Sequence, residues 1–156
     1  MLIGNQGAIF SPCHEYRYAL WRIWDHGTKY AMFIGLNPST ADETHDDPTV
    51  RRCKRFAKDW GYGGLVMTNI FALRATDPKV MLAHKEPVGK ENDKYLAYLS
   101  SRAGIVIAAW GVHGAHRGRD QKVLRMVKGA HHLGLTKGGL PRHPLYLRAD
   151  TKPSVF

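Results

Sequence analysis

Three short apolar runs, each closed by turn residues, set the terms on which this chain can fold. Tyr30–Ile34 runs into Gly35, Asn37 and Pro38; Leu65–Ile70 follows a glycine-rich break at 61–64; Ile105–Trp110 ends at Gly111. Apolar runs this short, without polar alternation, predict strands buried on both faces. Such strands belong to parallel sheets sheathed by helices. In open sheets of this kind, ligands sit just beyond the carboxyl ends of the strands. Asn37, Ser39 and Thr40 fall at that place after the first run, and Asn69 stands near the end of the second.

The segments between the runs have helical spacing. Asp47-Pro48 is a start signal, with Asp as cap and Pro in the first turn. Val50, Cys53, Phe56, Ala57 and Trp60 then share one face, while Arg51, Arg52, Lys54, Arg55 and Lys58 share the other. Asp77-Pro78 opens a short helix to Ala83; Glu91–Arg102 and Asp120–Lys128 are further helices, and His132–Thr136 is a fourth strand. At the other end, Met1–His14 lacks a clear period and is a loose lead-in. Tyr16–Trp24, followed by Asp25-His26-Gly27, is a hairpin signal that places an antiparallel strand beside Tyr30–Ile34. The expected fold is α/β: one domain over residues 1–156, a three-layer α/β/α sandwich on a mostly parallel four-stranded sheet, with an N-terminal antiparallel hairpin strand. Its strand ends would gather Asn37, Asn69, Trp110 and the segment around His143 at one rim.

The chain carries a formal net charge of +10, which predicts attraction to polyanions, nucleic acid first. Arg51, Arg55, Arg117, Arg119 and Arg142 are the candidate phosphate contacts. Cys13 and Cys53 make no disulfide framework, no secretory leader is evident, and no apolar run approaches a membrane span, so a reducing, cytoplasmic setting is expected. A glycine-lysine phosphate loop, a dinucleotide fingerprint and a Gly-x-Ser-x-Gly elbow are absent. His113 and His116, or His131 and His132, could be read as metal ligands, but with only two distant cysteines and no HExxH pattern no metal or cofactor is expected. What remains is two amides, a histidine in a Pro-rich segment, and a basic surface. Amides orient water or read the edge of a base; a histidine can stabilise a leaving anion. That inventory suits cleavage through a transition state already cationic at carbon, as in glycoside hydrolysis.

Gly35-Leu36-Asn37-Pro38 resembles the first motif of the uracil-DNA glycosylase superfamily, in its mismatch-specific branch. Thr68-Asn69-Ile70 is similar to the segment whose Asn reads the flipped base, Ala108-Ala109-Trp110-Gly111 to the third-strand end, and Arg142-His143-Pro144-Leu145 to the late His-Pro motif. The longer pattern from Gly35 to Asp42, with Asp47-Pro48-Thr49 and His143–Leu147, also resembles a bacterial and phage family catalogued as a domain of unknown function. The resemblance implies a DNA glycosylase that needs no cofactor or obligate protein partner and acts on DNA. Asn37 would position the attacking water, Asn69 read the extruded base, and His143 stabilise the departing base anion. Gly35, Leu36, Pro38 and Ser39 would shape the pocket, Phe71 would stack on the base, and Leu145 or Tyr146 would wedge into the duplex. No lysine stands in these motifs as a Schiff-base nucleophile, which implies a monofunctional enzyme leaving an abasic site. Ser39 stands where uracil-specific relatives place a bulky ring against carbon 5 of the pyrimidine. The resemblance therefore implies tolerance of a 5-modified pyrimidine, such as glucosylated hydroxymethylcytosine in phage DNA, and a role in antiphage defence. A base- or nucleotide-modifying enzyme on the same fold and a non-catalytic nucleic-acid-binding module are the alternatives. The resemblance also offers Asp42, Asp46 or Asp47 as the water-activating carboxylate used in another branch of the superfamily; Asp47 is better explained as a helix cap, and Asp42 and Asp46 remain open.

Overall fold

The computed structural model describes residues 2–156. Its centre is a mixed sheet of seven strands: β1 (Gln6–Phe10), β2 (Arg17–Ile23), β3 (Tyr30–Gly35), β4 (Gly64–Asn69), β5 (Ile105–Ala108), β6 (His131–His132) and β7 (Ser154–Val155), in the order β1-β2-β4-β3-β5-β6-β7. β3 pairs in parallel with β4 on one side and β5 on the other, and β6 extends β5 in parallel. β2 and β7 are antiparallel to the strands they join. Four helices connect them: α1 (Pro48–Asp59), α2 (Pro78–Ala83), α3 (Asn92–Arg102) and α4 (Arg119–Met126).

The alternation of β3 sorts the core into two halves. Ala31 and Phe33 pack with Val50, Cys53 and Phe56 of α1. Met32 and Ile34 belong to the cluster that takes Met81 of α2, Leu96 and Leu99 of α3, and Val123 of α4. Helices thus cover both faces of the sheet, which is why its middle strands are apolar on both sides. Thr68, a polar residue inside fully buried β4, is satisfied by donating its hydroxyl to the Phe33 carbonyl at 3.1 Å.

The structure departs from the sequence reading in three places. Residues 6–10 form an edge strand rather than a loose lead-in. β2 does not lie beside β3, since both edges of that strand are occupied by β4 and β5; it inserts instead between β1 and β4. Nearly all of β2 is buried, and a covered strand needs a neighbour on each side for its backbone groups. The fourth strand is shorter and earlier than 132–136: it spans His131–His132, before Gly134 turns the chain with a positive φ of 116°. Among the described residues, no helix is long and apolar enough to cross a membrane.

Candidate functional site

Backbone hydrogen bonds zip the loops beyond β3, β4 and β5 together. Ile70 N–H donates to Gly35 O at 2.9 Å, Phe71 N–H to Leu36 O at 3.0 Å, and Gly111 N–H to Pro141 O at 2.8 Å. They frame a cavity of about 360 Å³ at the carboxyl ends of the parallel strands, within the range of small-molecule sites. Asn37, Asn69, Trp110 and His143 all line it, as do Gly35, Leu36, Pro38 and Ser39. Phe33 and Met67 give it an apolar floor.

Asn37 is held by its amide nitrogen, which donates to the carbonyls of Ala75 (2.9 Å), Pro38 (3.3 Å) and Leu73 (3.4 Å). Three acceptors leave one orientation for the amide, since its oxygen cannot donate. Oδ1 has no partner among the described residues and is free to accept from a water or ligand. Asn69 is 4% exposed, and its amide nitrogen is buried without a partner. Gly35 makes room for it: a Cβ there would sit 2.9 Å from Asn69 Oδ1. Buried Asn92 on α3 steadies the strand end by donating to Asn69 O (2.9 Å) and Ile70 O (3.2 Å). Asn69 thus lines the cavity with its amide nitrogen desolvated and unspent.

His143 accepts the Leu145 backbone N–H at Nδ1, 3.2 Å away. An acceptor at Nδ1 puts the ring proton on Nε2. Burial lowers its pKa below the ordinary 6.5, with the Asp47 charge pulling the other way. The site therefore holds a neutral imidazole with one N–H to donate. Tyr146, 88% exposed, stands at the rim, its ring 6.5 Å from that of His143, while Leu145 is half-buried.

Arg17 escaped the sequence reading as a cavity residue, and Asp47, read as the helix cap it is, lines the cavity too. Arg17 on β2 is 3% exposed; its Nη1 donates to Ala41 O at 2.9 Å and its Nε is buried without a partner. Burial lowers its pKa to about 10, opposed first by the charge of Asp47. Asp47 caps α1, with Oδ1 accepting the Val50 N–H at 2.8 Å, and it also lines the cavity. Arg17 carried a readable signal, a charge placed directly before the run Tyr18–Trp21. Asp42 and Asp46, left open before, lie outside the cavity lining. Asp42 closes its own turn by accepting from the Thr44 and His45 N–H groups, at 2.9 and 2.8 Å. Asp46 bridges Arg22 (2.8 Å) and Lys54 (3.1 Å).

Phe71 is not a stacking partner for a ligand. It is fully buried in the core, tilted against His116, because the chain after Asn69 turns inward under the loops. The aromatic groups that do line the cavity are Phe33 and Trp110. Arg119 is likewise no phosphate contact: 4% exposed, it donates to Ile70 O (3.1 and 2.9 Å) and pairs with Asp93 at 2.8 Å. Arg51, Arg55, Arg117 and Arg142 are exposed. Arg55 pairs loosely with Asp59 at 3.5 Å, Arg117 donates to His84 O and Lys85 O, and Arg142 to Leu135 O. Among the described residues, no three His, Cys, Asp or Glu side chains converge as a metal centre requires.

Residues 17–145 match the family described as "Protein of unknown function (DUF1643)". The chain belongs to that family. The matched span opens on Arg17 and closes just after His143, so it contains every cavity residue named above. No curated protein and no solved structure matches the chain.

Proposed function

We propose that this protein is a monofunctional DNA glycosylase with a uracil-DNA glycosylase-like arrangement of strand ends, acting on a flipped, 5-modified pyrimidine. The observation that carries the reading is the neutral His143, with its proton on Nε2, in one cavity with the oriented amide of Asn37 and the unspent amide of Asn69. Each offers what cleavage of a base-sugar bond requires. Asn37 Oδ1 accepts from the attacking water, Asn69 Nδ2 donates to a base carbonyl, and His143 Nε2–H donates to the base as it leaves with the bonding electrons. Exposed arginines hold the phosphates, and Tyr146 fills the gap left by the extruded nucleotide. Ser39 leaves room in the cavity for a substituent on carbon 5, such as a glucosylated hydroxymethyl group, and defence against modified phage DNA is the matching role.

Chemistry on a free nucleotide fits less well. A helix N-terminus is the ready seat for a phosphate, but at α1 the Asp47 carboxylate already occupies it. A non-catalytic stacking platform on Tyr16, Tyr18, Trp21 and Trp24 fits less well, since Tyr18 and Trp21 are 4% and 6% exposed and only Trp24 of the four is exposed.

The test is base release. Duplexes carrying uracil, a thymine mismatch, 5-hydroxymethylcytosine or its glucosylated form are incubated with the protein and then cleaved with alkali. Alkali-dependent breaks that vanish in Asn37→Ala are expected, strongest on the bulky base. Binding without release on all four would refute the reading.

A further inference from the structure

We propose that Arg17 reads the group attached to the base: the free edge of its guanidinium takes two neighbouring hydroxyl oxygens of a sugar carried on carbon 5. The inference rests on the glycosylase reading and assigns the residue that chooses among its substrates. Among the described residues three arginines are buried, Arg17, Arg22 and Arg119, at 3%, 5% and 4% exposure. Two of them meet a carboxylate and spend the edge formed by Nε and Nη2. Arg22 gives Nε to Asp46 Oδ1 at 2.8 Å and Nη2 to Asp42 O at 2.7 Å. Arg119 gives Nε to Ile70 O at 3.1 Å, and Nη2 to Ile70 O at 2.9 Å and Asp93 Oδ1 at 2.8 Å.

Arg17 differs on each count. Its Nη1 gives to Ala41 O at 2.9 Å, but Nε is buried without a partner, and no described residue accepts from Nη2. It pairs with no carboxylate among the described residues; Asp47 and Asp42 act on its charge only across space. It is also the one of the three that lines the cavity. A pKa lowered to about 10 still leaves the group charged at neutral pH. One bond to Ala41 O could come from a neutral donor, and burying an unpaired charge is destabilising. Anchoring that loop therefore does not account for a guanidinium at this position.

The Nε–H and Nη2–H of a guanidinium form a rigid fork that takes two oxygens side by side. A carboxylate, a phosphate or a pair of adjacent hydroxyls presents such oxygens. The cavity decides between them. Asp47 lines it together with Arg17, so the two charges offset each other and an anion gains little by entering. A neutral diol suits both groups: its lone pairs accept from Arg17, and its O–H groups remain to donate to a carboxylate or to Asn37 Oδ1. Phe33 and Trp110 supply apolar surface for the C–H faces of a sugar ring, in a cavity of about 360 Å³ that holds more than a bare pyrimidine. Ser39, which leaves room beside carbon 5 in the proposed reading, lines the same cavity.

The first test leaves the protein intact. Wild type is given duplexes carrying glucosylated 5-hydroxymethylcytosine, or the same base with a cyclohexyl ring in place of glucose, which keeps the size and removes the hydroxyls. Single-turnover release from the cyclohexyl base is expected to be slower by about a hundredfold or more, because a site built to bond hydroxyls leaves its own donors unpaired without them. The second test uses Arg17→Gln and Arg17→Lys, which keep a side-chain donor for Ala41 O and lose the fork. With thermal melts confirming a folded protein, the ratio of release from glucosylated to plain 5-hydroxymethylcytosine should fall about tenfold or more. Release of the cyclohexyl base within about threefold of the glucosylated one, or an unchanged ratio in a folded variant, would overturn the assignment and leave the glycosylase reading standing. So would a wild type that releases uracil or mismatched thymine but no glucosylated base. If no base leaves any duplex, both fall together.

Discussion

Replacing Asn69 with alanine should make the protein more stable and less functional. The Asn69 amide nitrogen is buried without a partner, and stranding such a donor costs about 1–3 kcal/mol. Alanine removes that penalty. Against it stands the loss of the carboxamide's contacts, about 1 kcal/mol for a small side chain. The loss stays small because the vacated space adjoins a cavity that water can enter. Strand preference hardly enters, since Asn and Ala are both poor strand formers. The net is a gain of about 1 kcal/mol, or a rise in Tm of about 2–4 °C for a domain of this size. Differential scanning calorimetry reads the first half of the prediction, and base release from the preferred duplex reads the second, with a loss of at least tenfold. A fall in Tm of a few degrees would refute the reasoning, because it would show that the amide serves the fold and is not held in reserve for a ligand.

His143 predicts an acid limb. Its folded pKa lies below the ordinary 6.5, so on acidification the unfolded chain protonates first; the stability from the neutral ring is complete above 6.5 and is lost as pH falls through the folded value. Urea melts against pH should show this loss in the wild type and not in His143→Gln, and base release should fall over the same range. Gly114→Ala would place a Cβ 1.9 Å from Trp110 Cδ1, forcing the indole from the cavity wall at a cost of about 1–3 kcal/mol; urea denaturation and base release should both decline. Ser39→Tyr should abolish release of the glucosylated base while sparing plain uracil, as measured on the two duplexes side by side; equal loss on both would remove Ser39 as the source of tolerance.

The middle of the sheet was legible because its strands are short apolar runs, and burial on both faces leaves that pattern in any sequence. The Asp47-Pro48 and Asp77-Pro78 starts of α1 and α2 were legible for a local reason: the cap lies next to the turn it caps. What could not be read is pairing at a distance. Asp25-His26-Gly27 signals a reversal of the chain, but where β2 goes afterwards depends on β5 claiming the other edge of β3, some seventy residues further on. Phe71 and Arg119 were misread because a large ring after a strand and an arginine near a basic loop look alike whether they face solvent or core. Burial is decided by the layer above them. Asp47 shows a different limit: its capping role is local and legible, while its place on the cavity wall depends on the loops packed beside it.

The cavity is assembled from opposite ends of the chain. Arg17 stands on β2, while His143 is tied in by Gly111 N–H to Pro141 O and by Arg52 donating to Leu147 O. A chain lacking residues 137–156 therefore has six of the seven strands but lacks His143 and Pro144 from the cavity wall. Contacts that span so much sequence also close late in folding. If the proposed glycosylase activity is real, a chain lacking that segment should release no base.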